Sequence, residues 1–251
     1  MYDFQLQEEM LDISFELLRD VGIDAPSALG GGTALSAYYW QHRFSTDIDI
    51  FIYSSEKKVL NKIDPRNAND DIKSRLSKIN YGNDLKKHPI YTEIAIDENS
   101  KMQFFTVKGF TSTPYSQVRL WDKDIFIESI EEIIAKKVYY RCGDANSRDL
   151  FDIAVAIYKD PTILISINVP KEKLEKLYDS VTAIFENEQL LKIYKDDIEM
   201  MKPREEYIDI AINGIIYLKT FLESYLSGLQ MNIPTMEEYC IELKEYSYNA
   251  L

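Results

Sequence analysis

The sequence predicts an α+β fold: a small mixed β-sheet flanked by helices over residues 1–128, then a helical region over residues 129–251. Two observations carry this expectation. Strand-like and helix-like segments alternate as far as about residue 128, and beyond it nearly every segment repeats its apolar residues at helical spacing. Apolar side chains make up 45% of the 251 residues and charged ones 28%, the balance of a chain that folds around a core.

Taken in order, residues 4–20 set Leu6, Met10, Leu11, Ile13 and Leu17 at helical spacing. Ala28 and Leu29 form a short apolar stub that runs into Gly30, Gly31 and Gly32. Residues 33–40 predict a helix with its N-cap at Gly32-Thr33. Residues 47–53 (DIDIFIY) alternate with period two and are rich in β-branched and aromatic side chains, so they predict a strand. A helix is expected near 68–79. Strands are expected over 90–96, 101–107 and 118–127, the first two joined by Asp97-Glu98-Asn99-Ser100. Ser129 and Glu132 have the spacing of a capping box, opening a helix that runs to Arg141. Further helices are expected from Ser147, from Pro170, over 205–226 and over 235–246, with Pro161, Pro170, Pro203 and Pro234 at the breaks.

Charge narrows the function classes. Twenty-nine Lys and Arg against 42 Asp and Glu leave a net charge of −13, a field that repels phosphate backbones and argues against indiscriminate nucleic-acid coating. Residues 57–88 are the exception. Lys57, Lys58, Lys62, Arg66, Lys73, Arg75, Lys78, Lys86 and Lys87 outnumber Asp64, Asp70, Asp71 and Asp84, which reads as a solvated helix face or as a docking patch for a polyanion. No apolar run nears the ~18 residues of a membrane helix. No basic-then-apolar leader opens the chain. Cys142 and Cys240 fit no metal-ligand spacing, so a cytoplasmic protein with reduced thiols and no membrane partner is expected.

The chemistry concentrates in two places. Gly30–Gly32 stand between an apolar stub and a helix start. There the backbone can approach a ligand, and unpaired N–H groups can take an anion such as a nucleotide's phosphates, with the Thr33 hydroxyl beside them. The alternative is a plain strand-to-helix turn. Fourteen residues after Thr33 come Asp47 and Asp49, which a strand projects to one face while Ile48, Ile50 and Ile52 take the other. Paired carboxylates repel unless a cation lies between them, and Mg²⁺ (or Mn²⁺) shared with substrate phosphates fits that need. The alternative is a solvated strand edge.

The segment LGGGTALSAYYWQHRFSTDIDIF resembles the Gly-Gly-Ser/Thr … Asp-x-Asp signature of the DNA polymerase β-type nucleotidyltransferases. It is more closely similar to the AbiEii/AbiGii group of nucleotidyltransferase-like toxins, through Gly31, Gly32, Thr33, Ala34, Leu35, Arg43, Ser45, Asp47, Asp49 and Phe51. IEEIIAKKVYYRCGDANSRDLFDIAVA resembles that group's second block, with Lys137 and Arg141 on one helix and Arg148, Asp149 and Asp152 on the next. The two blocks frame about residues 28–158.

The resemblance implies a polymerase β-like core and Mg²⁺-dependent transfer of a nucleoside monophosphate from an NTP. The 3′ end of tRNA is the leading acceptor candidate, and a protein hydroxyl stays open. It implies a toxin with an antitoxin partner. By residue, it implies Asp47 and Asp49 as metal ligands, Gly31, Gly32, Thr33, Arg43 and Ser45 around the triphosphate, Lys137 against the leaving charge, and Asp149 supporting Lys137 or acting on the incoming hydroxyl. Lys136 is the fallback if the helix phase is shifted. Arg148–Asp149 as a helix-start ion pair and Arg141–Asp152 as a structural pair are the plainer readings. One departure stands out: Gln103 occupies the strand position where a third carboxylate is expected, leaving Glu93 or Asp149 as stand-ins. That departure sustains a second hypothesis, a nucleotide- or partner-binding module of the same fold without turnover. A metal-dependent phosphohydrolase is a third.

Overall fold

The computed structural model describes residues 2–56, 58–82 and 84–228. The expected helix at 235–246, Lys57, Pro234, Cys240 and the tyrosines Tyr239, Tyr246 and Tyr248 lie outside the described residues. The chain forms two compact units, Met1–Ile133 and Ile134–Leu251.

The first unit is built on a seven-stranded mixed sheet. Its strands are β1 (Ser27–Gly30), β2 (Ile48–Tyr53), β3 (Leu85–Lys87), β4 (Tyr91–Ala95), β5 (Lys101–Val107), β6 (Tyr115–Leu120) and β7 (Lys123–Glu128), in the order β3-β4-β5-β2-β1-β7-β6. β1 pairs with β7 and β2 with β5 in parallel; the other pairings are antiparallel. Period-two alternation decides what each face holds. Ile48, Ile50 and Ile52 are fully buried, as are Leu29, Met102, Phe104, Ile94 and Ile127 beside them, while Asp49, Phe51 and Tyr53 on the other face stay partly exposed. Helix α1 (Gln5–Asp20) packs on β2 and β5, burying Met10, Ile13 and Leu17 at the spacing read from the sequence. Short α3 (Val59–Lys62) packs on β4 and β5, and α4 (Asp70–Lys78) on α1. Asn69 caps α4 by accepting from the Ile72 N–H at 3.0 Å, so that helix starts two residues later than expected.

Three expectations need correction here. The helix after the glycines starts at Gly31 with Gly30 as N-cap, not at Gly32-Thr33: α2 spans Gly31–Ala34 and Leu35–Trp40 continues it as a π-helix. The single strand expected at 118–127 is a hairpin of β6 and β7, reversed at Trp121 and Asp122, whose φ angles are +49° and +60°. Both central residues of a two-residue turn are then left-handed, a geometry usually announced by Asn or Gly. Neither residue type is present, so the alternation read straight through the turn. The capping box at Ser129 is half made. Ser129 Oγ accepts from the Glu132 N–H at 3.2 Å, but the Ser129 N–H donates to the Pro114 carbonyl. The Glu132 carboxylate instead accepts from the Phe110 N–H, the Thr111 N–H and the Thr111 hydroxyl at 2.9–3.0 Å.

The division of the chain into its two units, between Ile133 and Ile134, falls within helix α5 (Ile130–Arg141). The second unit goes on with α6 (Ser147–Lys159), α7 (Ile163–Ser166), α8 (Lys171–Phe185), α9 (Glu188–Met200) and α10 (Ile208–Ser227). α10 packs on α6 and α8. Tyr194 is buried there and donates to the Ala211 carbonyl at 2.9 Å, and Tyr225 donates to the Leu164 carbonyl at 3.2 Å, so these tyrosines serve helix packing. α9, capped by Asn187, was not among the expected helices.

Candidate active site

The glycine bend is forced by its neighbours. Gly31 has φ +63°, left-handed backbone that favours glycine, and a Cβ there would collide with the Asp49 carboxylate. Gly30 stands opposite Asp49 across the β1–β2 pair, and a Cβ on it would meet Glu128 and the Phe51 ring. A Cβ on Gly32 would strike the Arg43 guanidinium and come within 3.3 Å of Ser45 Oγ. The missing side chains thus make room for one carboxylate and one guanidinium against the start of a helix.

Thr33 ties this bend to the acid strand. Its buried hydroxyl donates to the Asp47 carbonyl and lies 2.8 Å from Ser45 Oγ. Ser36 Oγ donates to the Arg43 carbonyl, and Arg43 Nη1 donates to the Phe44 carbonyl at 3.1 Å. The sequence positions Gly31, Gly32, Thr33, Arg43, Ser45, Asp47 and Asp49 therefore come together in the first unit. His42 is fully buried and meets Trp40 edge-on, a packing role.

Register settles what stands beside Asp49. Gln103 is its direct neighbour on β5, and Glu93 is the next across on β4. Gln103 Nε2 donates to Glu93 Oε2 at 2.8 Å, and Lys86 and Lys101 reach Glu93 at 3.1 and 3.4 Å. Burial pushes the Glu93 carboxyl up, but the two lysines outweigh it and hold it below the usual range. Glu93 is an ionised carboxylate held one strand beyond Gln103. Glu128, at the end of β7, went unnoticed in the sequence. It is fully buried, and Tyr53 donates to its Oε1 at 2.7 Å. Burial and that bond push the Tyr53 phenol well up. Tyr39 donates to the Glu128 carbonyl at 2.8 Å. Only the register between β1 and β7 brings Glu128 here, and no local pattern announces it.

In the second unit, Lys137 Nζ lies between Asp149, to which it donates, and Asp152 at 2.9 Å. Arg141 Nε meets Asp149 Oδ2 at 2.8 Å and Asp144 at 3.7 Å. Lys137, Asp149 and Asp152 are all buried. Counted outward from the connection between α5 and α6, the nearer cation takes the nearer acid and the farther cation reaches both. This corrects the Arg141–Asp152 pair expected from the sequence. Asp149 turns back to α5, as the alternative in which it supports Lys137 requires.

The basic stretch at 57–88 is largely spent on local pairs. Arg75 reaches Glu9, Asp12 and Glu16 on α1. Arg66 and Lys87 share Asp64, Lys73 lies 4.0 Å from Asp70, and Lys86 takes Glu93 and Asp84. A solvated, ion-paired face describes it better than an open polyanion patch.

Two carboxylates fit a divalent ion. Among the described residues no group of three or more His, Cys, Asp or Glu could hold a metal by itself. Asp47 and Asp49 would supply hard oxygen ligands and leave other positions to phosphate oxygens, which is the way Mg²⁺ is bound beside nucleotides. No helix among the described residues is long and apolar enough to cross a membrane.

Residues 15–209 match the family model described as "Nucleotidyl transferase AbiEii toxin, Type IV TA system". Among curated proteins none matches the chain. Of solved structures, JHP933 from Helicobacter pylori is similar at 19% identity and a TM-score of 0.49, over 100% of this chain and 99% of that one. A candidate nucleotidyltransferase from H. pylori follows at 16% identity and a TM-score of 0.47, over 92% of this chain and 100% of that one. ANT(2″)-Ia in complex with adenylyl-2″-tobramycin is similar at 12% identity and a TM-score of 0.32, over 75% of this chain and 98% of that one.

Proposed function

The chain belongs to the nucleotidyl transferase AbiEii toxin family, and from that premise we propose that it transfers a nucleoside monophosphate from an NTP to a nucleic-acid acceptor. The 3′ end of tRNA is the first candidate, and the setting is that of a toxin opposed by an antitoxin. The observation that carries this reading is the Asp49 carboxylate lodged against Gly31, beside a helix start cleared of side chains.

In this reading the N–H groups at Gly31 and Gly32 hold the phosphate tail, since a helix N-terminus offers unpaired donors and a positive dipole end. Arg43, packed against Gly32, adds fixed positive charge to the same place. Thr33 does not face the ligand; it fixes Asp47 and Ser45 against the bend. Mg²⁺ or Mn²⁺ held by Asp47 and Asp49 would neutralise phosphate charge and favour in-line attack. The acceptor hydroxyl oxygen bonds to the α-phosphorus, the bond to the bridging oxygen breaks, and pyrophosphate leaves with its electron pair. With Gln103 beside Asp49, the hydroxyl proton passes to solvent or to the substrate's own phosphate. Lys137 and Asp149 keep their place in the reading as a cluster with Asp152 and Arg141, two cations against two carboxylates.

The test incubates the protein with each α-labelled NTP, Mg²⁺ and total RNA, beside Asp49→Asn. Label in RNA with the wild type, lowered by at least about 10²-fold in the variant, supports the reading. Equal labelling by both proteins overturns it. A second reading, an inactive binding module, is favoured by Gln103 in the acid's place, and NTP binding without any label would establish it.

A further inference from the structure

The sheet face that carries Asp49 is ordered in rows. Lys86, Glu93, Gln103, Asp49 and Gly30 stand side by side across β3, β4, β5, β2 and β1. One pleat along, on the same face, the register sets Tyr91 beside Phe105 and Phe105 beside Phe51. Their ring centroids are 5.9 and 5.1 Å apart. His88 extends the row, stacked on Tyr91 at 4.9 Å and 21°. On the opposite face of the same strands Ile50, Phe104 and Ile94 are fully buried, whereas Phe105 and Tyr91 are partly exposed and His88 is exposed.

A line of aromatic rings left partly in water calls for a ligand with flat apolar faces. We propose that the row Phe105–Tyr91–His88 is a stacking platform for the unpaired 3′-terminal bases of the nucleic-acid acceptor. The proposal rests on the transfer reading above and names where its acceptor lies. Three features favour bases over a protein segment. The platform runs parallel to the Asp49 row at about 7 Å, two residues of strand, so a base seated on it leaves its own backbone beside the acids. Lys86 and Lys101 rim that row, paired with Glu93 and, for Lys86, Asp84, yet with 60% and 37% of their side chains exposed, so that their ammonium groups still face a phosphate in solution. A net charge of −13 disfavours holding RNA through a long run of phosphate contacts, and stacking is the contact that works without them.

The probe is a fluorescent ten-nucleotide single-stranded RNA with a free 3′ hydroxyl, titrated by anisotropy against the full chain and Tyr91→Leu, Phe105→Leu and His88→Ala. Leucine keeps apolar volume but has no π-face, and exposed His88 can change without disturbing the core. Each variant is expected to bind about tenfold more weakly, with the salt dependence unaltered, because stacking and not phosphate pairing is lost. Wild-type affinity in all three overturns the proposal, and so does label transferred to a protein while the RNA stays unbound. Binding of a non-hydrolysable NTP analogue, measured on the same proteins, judges the transfer reading separately. Its absence would sink that reading and leave the RNA titration to decide the platform.

Discussion

The carboxylate of Asp49 lies where a Cβ on Gly31 would have to be. Backbone and side chain were thus fitted to each other, and the first prediction follows. Gly31→Ala forces a left-handed backbone on alanine and pushes Asp49 aside. Stability should fall by about 1–3 kcal/mol in urea unfolding, and NTP labelling should be lost with it. An alanine variant that labels normally would show that the bend plays no part in the reaction.

Thr33 supplies the second. Thr33→Val removes the hydroxyl that donates to the Asp47 carbonyl and abandons Ser45, both within a buried corner. The loss should be about 1–3 kcal/mol, while Thr33→Ser should recover most of it. Paired denaturation curves check this. The serine variant should also restore labelling, because the methyl group has no part in the bond.

The ion cluster around Lys137 gives the third. Lys137→Met leaves Asp149 and Asp152 buried with one cation fewer, and should destabilise the chain by about 3–5 kcal/mol. Combining it with Asp152→Asn removes the surplus charge, so the double variant should be more stable than Lys137→Met alone. A double-mutant cycle in guanidinium measures the coupling. Additive losses would mean that the two side chains act independently.

Acid stability gives the fourth. Asp64 accepts from Arg66 at 2.8 and 2.7 Å and lies 3.5 Å from Lys87. The Arg66 bonds hold its carboxyl down at about 2, against 3.8 ordinarily. A carboxyl depressed by folding stabilises the protein above its unfolded pKa, and that contribution vanishes as pH falls through the folded value. Wild type should therefore lead Asp64→Asn by about 1–2 kcal/mol at pH 7, after allowance for the exposed Arg66 partner. The gap should close between about pH 4 and pH 2. Urea titrations across that range read the gap directly.

Much of this was visible in the chain, for reasons that differ by element. Asp47 to Tyr53 could be read because alternation is a local property, and the Gly31–Gly32 bend because only glycine tolerates such crowding. The hairpin at Trp121 and Asp122 could not, since its turn residues are not those that normally announce one. Strand β3, three residues long and lysine-rich, lacks the length for a pattern. Glu128 is the instructive miss. Its neighbours Gly30 and Tyr53 are far off in sequence, and only strand pairing makes them one site. The partners of Lys137 were half legible: the helices could be drawn, but which acid met which cation depended on where the connecting loop turned.

The three acids that receive Arg75 are spaced three and four residues apart along α1, so they crowd one face of that helix. Without Arg75 they repel one another, and α1 leaves the ribosome with this counter-ion some sixty residues behind it. A nascent chain should keep this segment unsettled until α4 emerges, so α1 cannot close onto its layer by itself.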